Sequence, residues 1–209
     1  MSEIKTEIIP ADVPQAMSIG LELLRQGELV AFPTDTVYGL GALAFEARAI
    51  EGLFAVKGRD IGKAIAVLVG NPADLPKVTG AINEAVRLLA ARFWPGPLTL
   101  VVPRHPSLPD IISPNQTIGV RMPDHPIALR LLNLSGPLAV TSANLSGAAS
   151  AVTAQEVLAQ LGGRIPLILD GGRTPGGQPS TVIDCTGPEL VLLRPGPLTI
   201  EQLKSGLNK

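Results

Sequence analysis

The chain has 209 residues, 45% of them hydrophobic and 3% aromatic, with 17 Lys and Arg against 18 Asp and Glu. That length lets one core stand alone. So few rings leave no stacking platform for single-stranded nucleic acid, and a formal charge of −1 argues against binding through bulk attraction to phosphate.

Glycine and proline number 22 and 20, which suits a turn-rich globule and falls short of the ~25–30% of low-complexity chains. In chain order, 4–9 reads as a strand. Asp12 is placed to cap a helix whose apolar face is Val13, Met17, Leu21 and Leu24, with Pro14 in the first turn and Gly27 as the stop. A buried strand at 28–32 runs into a turn at 33–36, and 47–56 reads as a helix followed by a polar loop at 57–63 and a strand at 65–69. Ile82, Val86, Leu89 and Phe93 mark an amphipathic helix broken by Pro95 and Gly96. Strands follow at 98–102 and 118–121, then a helix at 127–134 and a strand at 138–142. Thr153 caps a helix over 153–161, with Glu156 at capping-box spacing. Strands at 167–170, 181–184 and 191–194 and a tail helix at 200–207 complete the pattern. Strands alternating with helices predict an α+β fold, α/β in the broad sense, built on a mixed sheet. With no repeat and no linker, 1–209 reads as one domain, with a motif-bearing core at about 10–196 and a short helix at about 199–207.

Cys185 is the single cysteine, and His105 and His125 each precede a proline with no ligand at metal spacing, so no protein-held metal is expected. The N-terminal MSEIKTEIIP has no apolar core of a secretory signal, and no apolar run approaches the ~18 residues of a membrane span. The expectation is a cytoplasmic protein without a membrane partner.

Polar chemistry gathers in loops that leave apolar strands, the usual ligand position in open sheets. The first is Phe32-Pro33-Thr34-Asp35-Thr36-Val37-Tyr38-Gly39-Leu40-Gly41. The second, Lys57-Gly58-Arg59-Asp60-Ile61-Gly62-Lys63, holds three cations that suit a phosphate chain. It is no Walker A loop, because three residues separate its glycines and Ala64 stands where Ser or Thr would bind Mg²⁺. Arg121 ends a strand where a buried guanidinium needs an anion, either an internal Asp or a substrate carboxylate. Thr141-Ser142-Ala143-Asn144 follows another strand, outside any G-x-S-x-G elbow and far in sequence from both histidines, which disfavours a serine hydrolase. Ser180, Thr181 and Arg194 add hydroxyls and a cation. Jointly, Lys57, Arg59, Arg121 and Arg194 outline an anion site without an obvious nucleophile. That suits a nucleotide and a small carboxylate, with catalysis by positioning and charge neutralisation.

FPTDTVYGLG, KGR, WPGPLTLV, TIGVRMPDHP, TSANLSG, PSTVIDCTG and LRPG occur in this order, and together they resemble the YrdC-like family of L-threonylcarbamoyladenylate synthases. The resemblance spans about 30–196 and implies a single-domain, twisted, mixed open sheet. It implies formation of threonylcarbamoyl-AMP and pyrophosphate from L-threonine, bicarbonate and ATP, with Mg²⁺ carried on the ATP phosphates. A partner transferase complex then modifies an adenosine of tRNA. Carried onto this sequence, the motifs imply that Lys57, Arg59 and Arg121 are catalytic. Arg59, Lys63, Thr117, Ser142, Asn144, Ser150 and Arg194 would bind ATP, and Thr34, Thr36, Arg121 and Ser180 would bind threonine. Asp60 and Leu68 depart from many long-form members, which carry a proline and a threonine-associated histidine there. The chain resembles a short form. Two alternatives stay open: a module on the same fold that binds double-stranded RNA or serves ribosome maturation, and a paralogue without synthase activity.

Overall fold

The computed structural model describes residues 4–207. The extremes of the expected 1–209 domain, and the start of the stretch read as lacking a secretory signal, lie outside the described residues. Among the described residues, ten strands form one mixed sheet: β1 (Glu7–Pro10), β2 (Val30–Phe32), β3 (Gly39–Leu43), β4 (Ala66–Leu68), β5 (Leu98–Pro103), β6 (Thr117–Arg121), β7 (Leu138–Ser142), β8 (Leu167–Asp170), β9 (Thr181–Asp184) and β10 (Val191–Arg194). Their spatial order is β1-β8-β2-β3-β7-β4-β6-β5-β9-β10. β1–β8, β2–β8, β4–β6 and β5–β9 pair in parallel, and the other neighbours are antiparallel. The helices are α1 (Ala16–Arg25), α2 (Ala47–Lys57), α3 (Leu75–Val78), α4 (Glu84–Phe93), α5 (Pro126–Ser135), α6 (Ala154–Leu161) and α7 (Ile200–Ser205). No helix among the described residues is long and apolar enough to cross a membrane.

Because side chains alternate across a strand, the sheet supports two separate cores. Ala31, Leu40, Val67, Leu100, Val120, Ala139, Ile168 and Ile183 face one way and pack beneath residues of α2, α4, α6 and α7. Their neighbours Val30, Phe32, Leu138, Val140, Leu167 and Leu169 face the other way, under Met17 and Leu24 of α1 and Ala128, Leu131 and Leu132 of α5. That second cover stops at Leu68. Beyond it, Ala66, Gly119, Thr99, Val101 and Val182 of β4, β6, β5 and β9 floor an open cavity.

Several sequence-based expectations need correction. α1 begins at Ala16 with Gln15 at its N-cap and no side-chain cap, and Asp12 and Val13 are exposed. Backbone turns from Val13 N to Pro10 O (3.1 Å) and from Ala16 N to Val13 O (3.0 Å) carry the entry instead. β1 starts at Glu7, because its pairing with β8 runs from Leu167 to Asp170 only. β3 was not expected, since Gly-Leu-Gly-Ala-Leu has no β-branched residue. Its glycines are required by packing: a Cβ would stand 2.9 Å from Val140 Cγ1 at Gly39 and 2.8 Å from the Phe32 ring at Gly41. The short α3 was likewise not expected. Thr153 Oγ1 accepts from Glu156 N at 3.2 Å, but the Glu156 carboxylate accepts from Val152 N at 2.7 Å, one residue short of a closed box. In α7, Thr199 and Gln202 close that motif reciprocally.

Candidate active site

The cavity on the uncovered half of the sheet measures about 380 Å³, within the ~300–1,000 Å³ common for small-molecule sites. The chain between β2 and β3 builds one wall. Thr34 Oγ1 donates to Val37 O at 2.7 Å, accepts from Thr36 N at 3.2 Å and lies 3.0 Å from Thr36 Oγ1. These bonds turn the segment back on itself and bury both hydroxyls beside the floor. Tyr38 O–H donates to Gly172 O at 2.7 Å and ties the same wall to the loop after β8. Its phenol is pushed up to about 12, by burial first.

Three guanidiniums face the cavity: Arg59, Arg121 and Arg194. Arg121, at the end of β6, is buried. Its Nε donates to Gly96 O at 3.0 Å, Nη1 to Thr36 Oγ1 at 2.9 Å, and Nη2 to Asp35 Oδ1. The internal carboxylate is thus the anion that the strand end demands. Arg194 donates to Ser180 O and Ser180 Oγ, each at 3.0 Å, and Ser180 Oγ lies 2.8 Å from Thr99 Oγ1. Arg59 donates from Nη2 to Ala64 O at 2.9 Å, and its buried Nε has no partner. Neither Arg59 nor Arg194 joins an ion pair among the described residues. Burial lowers the pKa of all three, and the Arg59 charge adds to the effect on Arg194. Arg59 and Arg194, which join no ion pair among the described residues, thus leave positive charge at the cavity, the condition that favours an anion.

The remaining expected residues fall into two groups. Ser142 lies on the wall with Thr34, Thr36 and Ser180, whereas Lys57, Lys63, Thr117, Asn144 and Ser150 do not. Lys57, 3% exposed at the end of α2, donates its ammonium to Ser142 O and Asn144 O. Its own carbonyl accepts from Ser146 N at 2.9 Å. It therefore ties the Ser142–Asn144 turn to α2, and burial, helped by the Arg59 charge, lowers its pKa to about 8. Asn144 Nδ2 donates to Leu145 O and Ala148 O, both at 2.8 Å, leaving Oδ1 buried without a partner. Lys63 is exposed, and Thr117 and Ser150 are half-buried.

Sequence reasoning did not assign Asp35, whose partner lies 86 positions away. It also gave no role to Gly119, where a Cβ would stand 2.9 Å from Thr99 Cγ2 and raise the floor. Leu68, singled out as a departure, lies on the cavity wall.

An open mixed sheet with an arginine-lined, uncovered half-face defines an α/β protein with a cationic cavity. The family model described as "Telomere recombination", covering Sua5, YciO and YrdC, matches residues 22–196. The threonylcarbamoyl-AMP synthase of Bacillus subtilis is 46% identical over 189 residues, covering 88% of this chain and 54% of the relative. The crystal structure of Pyrococcus abyssi Sua5 complexed with L-threonine aligns with a TM-score of 0.91 at 42% identity, covering 98% of this chain and 60% of that one. Escherichia coli YciO aligns with a TM-score of 0.82 at 26% identity, covering 97% and 100% respectively. The chain belongs to the Sua5/YciO/YrdC family. It spans about half the length of the Bacillus and Pyrococcus synthases it matches, 54% and 55%.

Proposed function

We propose that the chain is an L-threonylcarbamoyladenylate synthase, a nucleotidyltransferase that uses L-threonine, bicarbonate and ATP. The observation that carries this reading is the pair Arg59 and Arg194, which face the cavity without a carboxylate partner beside the neutralised Arg121. The names of the relatives, threonylcarbamoyl-AMP synthase, support it.

In the proposed reaction the threonine amine attacks the bicarbonate carbon, forming a carbamate with loss of water. A carbamate oxygen then attacks the α-phosphorus, and the bond to the bridging oxygen breaks to release pyrophosphate. Attacking and leaving groups are both anionic, so fixed cations lower the barrier without a covalent enzyme intermediate. Arg59 and Lys63 serve the phosphates. Thr117, Ser142, Asn144, Ser150 and Arg194 serve the rest of the nucleotide, with the open Asn144 Oδ1 as one acceptor. Thr34, Thr36, Arg121 and Ser180 hold threonine. Lys57 acts through the turn it ties. The polar groups of the cavity wall are hydroxyls and guanidiniums with no carboxylate among them, a set that suits Mg²⁺ held by phosphate oxygens and water. When bound, that ion supplies further charge neutralisation at the phosphates. The product is consumed in the cytoplasm by a transferase complex acting on tRNA.

The test is incubation with ATP, Mg²⁺, L-threonine and bicarbonate, following pyrophosphate and the adenylate by mass. Release that depends on both threonine and bicarbonate is expected. Equal release without either one would overturn the reading.

A further inference from the structure

The three guanidiniums of the cavity differ in charge balance. Arg59 and Arg194 have no carboxylate partner among the described residues, whereas Arg121 is paired with Asp35. Asp35 is not on the cavity wall; it stands behind Arg121, its side chain 11% exposed. Its Oδ1 accepts from Arg121 and, at 3.1 Å, from the backbone N–H of Asp124. With Thr36 Oγ1 and Gly96 O engaged as well, three of the five guanidinium N–H groups are used and two remain for a ligand. Among the neighbouring ionisable groups, Arg194 adds a like charge that acts on Arg121, which the Asp35 carboxylate opposes. Burial favours the neutral form of His125, and Asp124 is exposed, so water screens its charge.

We propose that Asp35 is a positioning residue that also sets specificity. It fixes the plane of Arg121 and offsets its charge, which weakens the pull of this part of the cavity on a bare carboxylate anion relative to an amino acid of zero net charge. An unpaired guanidinium attracts any carboxylate. With Asp35 paired to it from off the wall, the Arg121 guanidinium keeps free N–H donors for a carboxylate while losing the net charge that would favour an anion over a zwitterion. An acid without an amine cannot form the carbamate, so weak binding of such acids keeps the site free. This inference rests on the synthase reading above.

The test compares L-threonine as substrate with 3-hydroxybutyrate, which is threonine without its amine, as competitor. Wild type, Asp35→Asn and Thr36→Val are assayed for pyrophosphate release, and binding of both ligands is followed by calorimetry. In Asp35→Asn the threonine KM is expected to rise and the 3-hydroxybutyrate Ki to fall. Their ratio should move about tenfold or more, as removing a close charge in a half-dry site requires, with the KM for ATP unchanged. Thr36→Val removes an uncharged partner of the same guanidinium, so it weakens both ligands alike and leaves the ratio in place. Asp35→Ser, smaller and neutral, repeats the comparison should the amide not fold. An unchanged ratio in a folded Asp35 variant overturns the inference. A wild type that neither binds threonine nor turns over overturns the synthase reading first, before any variant is made.

Discussion

On one face of the sheet, β8, β2 and β7 carry Leu, Val and Phe side chains beneath α1 and α5. On the same face, β4, β6, β5 and β9 carry Ala, Gly, Thr and Val beneath nothing. The backbone pairing is continuous across both halves, so side-chain volume separates them. Large residues call for a helical lid, because each buried Leu or Phe contributes roughly 1.5–3 kcal/mol once covered. Small residues leave a concave floor, and the strand ends around it can then supply charge. One sheet thus divides stability and binding between adjoining strands.

Substitutions on the two halves should therefore have opposite signatures. The largest effect is expected from Arg59→Ala: a loss of about 10²-fold or more in threonine- and bicarbonate-dependent pyrophosphate release. Its melting temperature should stay close to wild type, because Arg59 has no ion-pair partner to lose among the described residues. Gly119→Val comes next. Its Cβ meets Thr99 Cγ2 at 2.9 Å, so the floor rises and steady-state assays should show KM values for both ATP and threonine increased. The overpacking itself costs about 1–3 kcal/mol.

Leu131→Ala, under the covered half, should reverse the pattern. Urea unfolding is expected to show a loss of about 2–5 kcal/mol, while kcat per folded molecule is retained. Activity lost in proportion to stability in all three variants would erase the division. The smallest effect concerns Lys57. Burial lowers its pKa from 10.5 to about 8 in the folded chain, so between these values the unfolded state binds more protons and stability rises with pH. Denaturant titrations across that window should show wild type gaining on Lys57→Met by about 1–3 kcal/mol. Parallel curves would mean that the ammonium is not desolvated.

Legibility from sequence followed the range of the interactions. β7, β8, β9 and β10 have the bounds expected from their apolar runs, and α4 follows its apolar spacing, with Asn83 accepting from Val86 N. The entry to α1 was misread because backbone turns replaced the side-chain cap offered by Asp12. β3 was invisible because its glycines answer to Phe32 and Val140, packing partners that a local window does not contain. In the site, the concentration of cations on strand ends and on one loop was readable, since the order of residues in those segments shows it. Which cations face the cavity was not. Lys57 and Arg59 are two residues apart, yet the first is turned into the protein by the carbonyls of Ser142 and Asn144. Asp35 looked like a turn former until β6 brought Arg121 to it.

The parallel pairing of β1 with β8 joins Glu7 to Leu167, and that of β5 with β9 joins Leu98 to Thr181. The cavity itself draws on residues from Thr34 to Arg194. Contacts of such sequence separation form late, because the loop must close before they reward it. A growing chain on the ribosome therefore holds no complete site until Arg194 has emerged. Arg59 and Arg194, which join no ion pair among the described residues, come together only when the sheet that positions them is in place.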